Sequence, residues 1–139
     1  HTYAVTVDSE PNTNLTASAE NLPNIQVAPP SQFGGPGDQW SPEDLLMAAV
    51  ANCFVLSFKA IAKPSKVNWT SINCVSEGTL EKAGSKVLFT KIVTKVKLTL
   101  SPEQNAAAAE RAITKAEEIC LITNSLSSEA ELEYQIIES

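Results

Sequence analysis

Tyr3, Val5 and Val7 alternate with polar neighbours, and Ile25 and Val27 do so again, so the first 28 residues predict short strands around a turn at Ser9 to Asn14. Residues 29–40, PPSQFGGPGDQW, hold three prolines and three glycines and predict an irregular loop. The period then changes. From Leu45 to Ile61 apolar residues occur nearly all round a helical projection, with Asn52, Ser57 and Lys59 as the polar exceptions. Such a helix is expected to be buried on most sides. Ser41 caps its start, Pro42 suits the first helical position, and Asp44 completes a capping box three residues after Ser41. Pro64 stops it.

Residues 66–80 and 85–100 read as two strands joined near Lys82–Gly84, a long hairpin. In the second strand Leu88, Ile92, Val96, Leu98 and Leu100 share one face, and Lys91, Lys95 and Lys97 lie opposite, one face dry and one wet. SPEQ at 101–104 repeats the Ser-Pro capping device and is expected to open an amphipathic helix. Its core stripe is Ala109, Ala112, Ile113, Ala116 and Ile119, with Cys120 at its C-terminal end. Ala130, Leu132, Tyr134 and Ile136 alternate with Glu131, Glu133 and Gln135 in a final strand. The order β-β-α-β-β-α-β predicts an α+β fold, with residues 1–139 as a single domain around a buried central helix. A chain of 139 residues is short of material to cover that helix, so part of its cover is expected from a second subunit.

Apolar residues make up 43% of the chain and charged residues 19%, an ordinary globular balance. Net charge is −6, and the nine lysines and one arginine form no cluster, which disfavours nucleic acid as a partner. No uninterrupted apolar run reaches the ~18 residues of a membrane span, and no signal peptide is recognised, so no membrane association is expected. Cys53, Cys74 and Cys120 are an odd number with no CxxC pair, and the only histidine is His1. Neither a disulfide scaffold nor a metal site is expected, and a reducing cytoplasm fits best.

Cys53 and Cys120 each lie on or just after a capped helix with proline in its first turn. Two thiols, one attacking and one resolving the sulfenic acid, are the minimal equipment for reducing a peroxide. That chemistry needs a lowered thiol pKa. Mid-helix Cys53 gains little from the helix dipole and Cys120 sits at the unfavourable end, so Cys53 is expected near its ordinary pKa. Taken singly, each cysteine is more often buried filler than nucleophile, and Cys74 stays with that reading. Glu43 alone is a carboxylate favoured by a helix N-terminus. Phe33 and Trp40 either plug the core or wall an apolar substrate pocket beside the thiol.

The stretch SPEDLLMAAVANCF, residues 41–54, closely resembles the first-cysteine motif of the OsmC/Ohr family of osmotically induced and organic hydroperoxide resistance proteins. AEEICLITNSL, residues 116–126, resembles the second, and the two cysteines stand 67 residues apart. The resemblance implies an OsmC-like fold, with antiparallel sheets around a buried central helix in an intertwined homodimer. It also implies thiol-dependent reduction of organic hydroperoxides in oxidative-stress defence, with a small dithiol as reductant and no cofactor. Cys53 matches the peroxidatic cysteine, Cys120 the resolving cysteine, and Glu43 the glutamate that orients a catalytic arginine. Two departures place the chain nearer the family's divergent OsmC-like branch. Leu121 follows the second cysteine where the family often has proline, and no arginine precedes Arg111, although the family's arginine comes from the N-terminal strands.

Two readings therefore stand at the level of sequence. In one, the protein is a thiol peroxidase in which a lysine or backbone amides replace the arginine. In the other, it is a non-catalytic or small-molecule-binding relative. A cation within ~4–6 Å of the Cys53 sulfur would favour the first. Helix geometry adds a constraint. Glu43 and Cys53 are ten residues apart, ~15 Å of rise and about 80° of azimuth on one helix. If Glu43 belongs to the Cys53 site, it is expected to arrive from a second subunit.

Overall fold

The computed structural model of the chain describes residues 1–138. These form two compact units, residues 1–46 and 47–138. In the first, β1 (Thr6–Asp8), β2 (Leu15–Ser18) and β3 (Ile25–Val27) make an antiparallel sheet in that order. The sequence pattern anticipates β1 and β3 but not β2, whose LTAS stretch is short and carries one large apolar residue. What makes it a strand is pairing on both sides, Val7 to Ala17 and Ala17 to Ile25. The loop that follows contains a single 3-10 turn at Ser31–Phe33. It ends at Trp40, whose carbonyl accepts the Ala28 N–H at 2.9 Å.

Helix α1 runs unbroken from Pro42 to Ala62. The expected capping box is present: Ser41 Oγ accepts the Asp44 N–H at 3.0 Å, and Asp44 Oδ2 accepts the Ser41 N–H at 3.3 Å and its hydroxyl at 2.9 Å. The expectation of burial on most sides is not met within one chain. Only Val50, Phe54, Phe58 and Ala62 are buried, a stripe at i, i+4 spacing, and Leu56 is 66% exposed. Over 18 residues α1 has a mean hydropathy of 2.0, so by length and composition it could cross a membrane. A search for an uninterrupted apolar run misses this because Asn52, Ser57 and Lys59 interrupt it. In this fold its buried stripe belongs to the hydrophobic core, where Phe54, Phe58 and Ala62 join Val96, Leu98, Leu100, Ala109 and Ile113.

That core covers one face of the second sheet. Strands β4 (Trp69–Ala83) and β5 (Lys86–Leu100) pair antiparallel through a two-residue turn, in which Gly84 adopts φ +64°. Ile92, Val96, Leu98 and Leu100 are buried as expected, but Leu88 is 36% exposed. The register shifts where Thr79 pairs with Lys91 and Leu80 with Phe89, so Thr90 is the extra residue of a bulge. Beyond it the alternation changes phase: Leu88 turns out and Phe89 turns in, against Gly78. A Cβ on Gly78 would lie 2.8 Å from the Phe89 ring and 2.8 Å from Met47 Sδ, which explains a glycine inside this strand.

Strand β6 (Glu129–Ile137) lies beside β5 and runs parallel to it, Lys91 to Glu129 through Thr99 to Ile137. The second sheet is therefore mixed, a correction to the expectation of antiparallel sheets throughout. Twenty-eight residues with a helix separate Leu100 from Glu129, the usual length of a parallel crossover. That helix, α2, spans Ala106–Ile119 and does not begin at SPEQ. Asn105 is the true cap, its Oδ1 accepting the N–H groups of Ala107 at 2.7 Å and Ala108 at 3.3 Å, while residues 101–104 form a turn. Ala109, Ala112, Ile113 and Ala116 are buried, but Ile119 is 42% exposed and Cys120 continues the stripe in its place. Helix α3, Leu121–Asn124, follows at once, so Cys120 is both the C-cap of α2 and the N-cap of α3.

Candidate active site

The buried stripe of α1 seats that helix on the core and turns the neighbouring stripe, Cys53 and Ser57, toward the junction of α2 and α3. There the Cys53 and Cys120 side chains lie close enough that each shifts the ionisation of the other. Cys53 is half-buried and Cys120 is fully buried, and both are free thiols. The pair lies wholly within the second unit.

The environments of the two sulfurs push their ionisation apart. Burial alone would raise the Cys53 pKa. It is outweighed by the Ile122 N–H, the Cys120 thiol, the Leu121 N–H and the Ser57 hydroxyl, all of which donate to the Cys53 sulfur and hold its pKa below the ordinary value. Cys120 is raised, first by burial and further by its neighbour Cys53, against the opposing pull of Thr123. Of the two thiols Cys53 is therefore the more acidic and Cys120 the less. This differs from the expectation of an ordinary pKa for Cys53. The sequence reading placed both thiols relative to their own helices, whereas the donors are amides of the short helix that starts immediately after Cys120. None of the donors is a cation.

Cys74 faces inward from β4, packed against the core. Burial, the Glu117 carboxylate and Cys120 together push its pKa up to about 11, so it is an inert thiol at neutral pH. Glu117 is a residue that sequence reasoning passed over. It stands three residues before Cys120 on the face the two share, and its carboxyl is raised by burial. Its Oε2 is buried with no hydrogen-bond partner among the described residues. Ser57, one helical turn after Cys53, was also missed, although its i, i+4 spacing is a legible signal.

The remaining predicted residues lie in the first unit. Glu43 occupies the first turn of α1, and its Oε1 is buried without a partner among the described residues. Phe33 is 61% exposed and Trp40 52%, so neither plugs a core. Arg111 is exposed on α2, in a surface groove with Ile61, Ser65 and Lys115, and is not among the groups that act on Cys53. Among the described residues, no group of three or more His, Cys, Asp or Glu side chains is placed to hold a metal ion.

Comparison with known proteins bears on the fold and the family. The chain is 23% identical over 112 residues to a Bacillus subtilis (strain 168) protein, Uncharacterized protein YmaD, covering 78% of this chain and 75% of that one. It is 29% identical over 96 residues to Peroxiredoxin OsmC of Escherichia coli (strain K12), covering 69% of this chain and 66% of that protein. The fold superposes on an OsmC-like protein of unknown function from Vibrio cholerae O1 biovar eltor with a TM-score of 0.89 at 20% identity, covering 97% and 99% of the two chains. The model of the family described as OsmC-like protein matches residues 35–135, taking in both cysteine motifs and the strands between them, and the chain belongs to that family.

Proposed function

We propose that this protein is a Cys-dependent peroxidase that reduces organic hydroperoxides, with Cys53 as the attacking thiolate and Cys120 as the resolving thiol. The observation that carries this reading is the approach of the two thiols, with Cys53 held below its ordinary pKa by amide N–H groups and Cys120 held above it by burial. The Cys53 thiolate attacks the distal peroxide oxygen, the O–O bond breaks, and the alcohol leaves after taking up a proton. Cys120 then displaces the oxygen of the Cys53 sulfenic acid as water and closes a disulfide, which a small dithiol reopens. Backbone amides of Leu121 and Ile122 take the part that the resemblance gives to a guanidinium, a neutral route to the same charge stabilisation. The E. coli relative named Peroxiredoxin OsmC supports the reaction class. Three free cysteines fit a reducing compartment such as the cytoplasm.

The functional unit we propose is a homodimer, with the whole chain acting as one domain of it. Helix α1 leaves apolar surface outside its buried stripe, and Leu56 at 66% and Leu121 at 68% exposure add to it. A second copy is the occupant a self-complementary apolar helix fits. In such a dimer Glu43 of each chain completes the Cys53 site of the other, with Phe33 and Trp40 walling the substrate pocket. Sedimentation at micromolar concentration should give a dimer, and a stable monomer would defeat this arrangement.

The binding-protein reading is favoured by one observation: Glu43 Oε1 is buried without a partner among the described residues, in a chain with no arginine before Arg111. A steady-state assay separates the two. With a small dithiol and cumene hydroperoxide, the wild type should consume both and Cys53→Ser should consume neither. Equal, near-zero consumption by both would establish the binding reading instead.

A further inference from the structure

The second half of the proposed cycle needs a base. Cys120 must lose its proton to attack the Cys53 sulfur, and the departing oxygen must gain one to leave as water. Cys120 is fully buried, and the residues beside it, Cys53 and Thr123, offer no base for that proton: Thr123 Oγ1, buried without a partner among the described residues, can accept a hydrogen bond but does not keep a proton near neutral pH. A carboxyl lies within one helical turn. Glu117 precedes Cys120 by three residues on α2, where Cβ atoms at this spacing stand ~5–6 Å apart. Its Oε2 is buried and unpartnered among the described residues, although a buried carboxylate oxygen normally finds a donor. Its carboxyl and Cys120 both bear on Cys74, so the two α2 groups lie near one thiol of β4.

We infer that Glu117 is the general base of the resolving step, taking the Cys120 thiol proton as the S–S bond forms and returning it to the oxygen leaving Cys53. The electrons balance within the pair. The Cys120 thiolate supplies the electron pair of the new S–S bond, and the S–O bond to Cys53 breaks toward oxygen. Cys120 is oxidised and the sulfenic sulfur reduced, water departs, and Glu117 ends as the carboxylate it began as. Burial raises the Glu117 carboxyl toward the range in which a base works near neutral pH, which supports the role. Cys74 does not compete for it, because a thiol held at about 11 stays protonated there. The other charged groups of α2 engage elsewhere: Lys115 pairs with Glu118 at 3.6 Å, and Glu110 accepts the Tyr134 hydroxyl of β6 at 2.9 Å.

The inference rests on the thiol-peroxidase reading, but it can be tested apart from hydroperoxide turnover. In the full chain carrying Cys74→Ser, 5,5′-dithiobis(2-nitrobenzoate) converts Cys53 to a mixed disulfide and releases one coloured thiolate. Attack by Cys120 then releases a second, and this slower phase reports the Cys120 nucleophile alone. Glu117→Gln should slow the second phase at least about tenfold at neutral pH and move its acid limb to higher pH, with the first phase unchanged. Glu117→Asp, which keeps a carboxylate, should fall between the two. A second phase in Glu117→Gln within twofold of the parent at every pH would overturn the inference, as would equal losses in the Asp and Gln variants. Failure of the underlying reading looks different: in a Cys120→Ser variant, where no resolving thiol consumes it, cumene hydroperoxide would yield no dimedone-trapped sulfenic acid on Cys53, while the two-phase thiolate release still decides the role of Glu117.

Discussion

Leu121→Pro isolates the contribution of one amide to the reactivity of Cys53. Leu121 is the first residue of α3, where proline is well tolerated because its missing N–H serves no intrahelical bond. Cys120 before it has φ −61° and ψ 105°, extended backbone of the kind a residue before proline adopts. The leucine side chain is 68% exposed, so its removal disturbs little packing within the chain. What the substitution does remove is the N–H that donates to the Cys53 sulfur. A hydrogen bond to a charged group contributes ~1.5–3 kcal/mol, and the lower end applies to a half-buried thiolate for which water competes. One pKa unit corresponds to about 1.4 kcal/mol, so the Cys53 pKa should rise by about one unit. The sign is fixed, since a donor favours the charged form and its loss disfavours it. At a pH below the pKa the thiolate fraction, and with it the alkylation rate, should fall about tenfold. Iodoacetamide labelling of Cys53 across pH, read by peptide mass spectrometry, measures this. An unchanged midpoint in a variant with wild-type circular dichroism would refute the role given to the α3 amides.

Gly78→Ala should destabilise the fold by ~1–3 kcal/mol in urea denaturation, because the new Cβ meets Met47 Sδ and the Phe89 ring at 2.8 Å. Asn105→Ala should remove about 1 kcal/mol of stability through loss of the α2 cap, measurable in the same experiment. Cys74 is raised from an ordinary 9.0 to about 11 in the folded chain, so its contribution is fully present below pH 9 and is lost as pH rises toward 11. Thermal denaturation should show an alkaline loss of at most about 3 kcal/mol that Cys74→Ala abolishes.

Much of this architecture is written locally. Ser41, Pro42 and Asp44 determine where α1 begins because a capping box needs only neighbours in sequence. The pairing of Cys53 with Cys120 was legible only through resemblance of their two motifs, since nothing in a 67-residue separation brings two thiols together. The direction of β6 was not legible: alternation reports which residues face the core, whereas parallel or antiparallel pairing is decided by the crossover through α2. The Thr90 bulge escaped for a related reason, because a single inserted residue reverses the phase without changing composition. The activation of Cys53 escaped most completely. It comes from main-chain N–H groups that every residue but proline possesses, and from a helix of four residues that no periodicity reveals. Glu117 was hidden in plain sight, as a charge on an amphipathic helix normally reads as solvated surface.

The most direct test of the account is a single turnover. One equivalent of cumene hydroperoxide added to the fully reduced protein should yield one equivalent of alcohol and an intramolecular Cys53–Cys120 disulfide, mapped by peptide mass spectrometry, with Cys74 still a free thiol. A small dithiol should then restore both cysteines. Hydroperoxide left unconsumed, or consumed equally by Cys53→Ser, would contradict it.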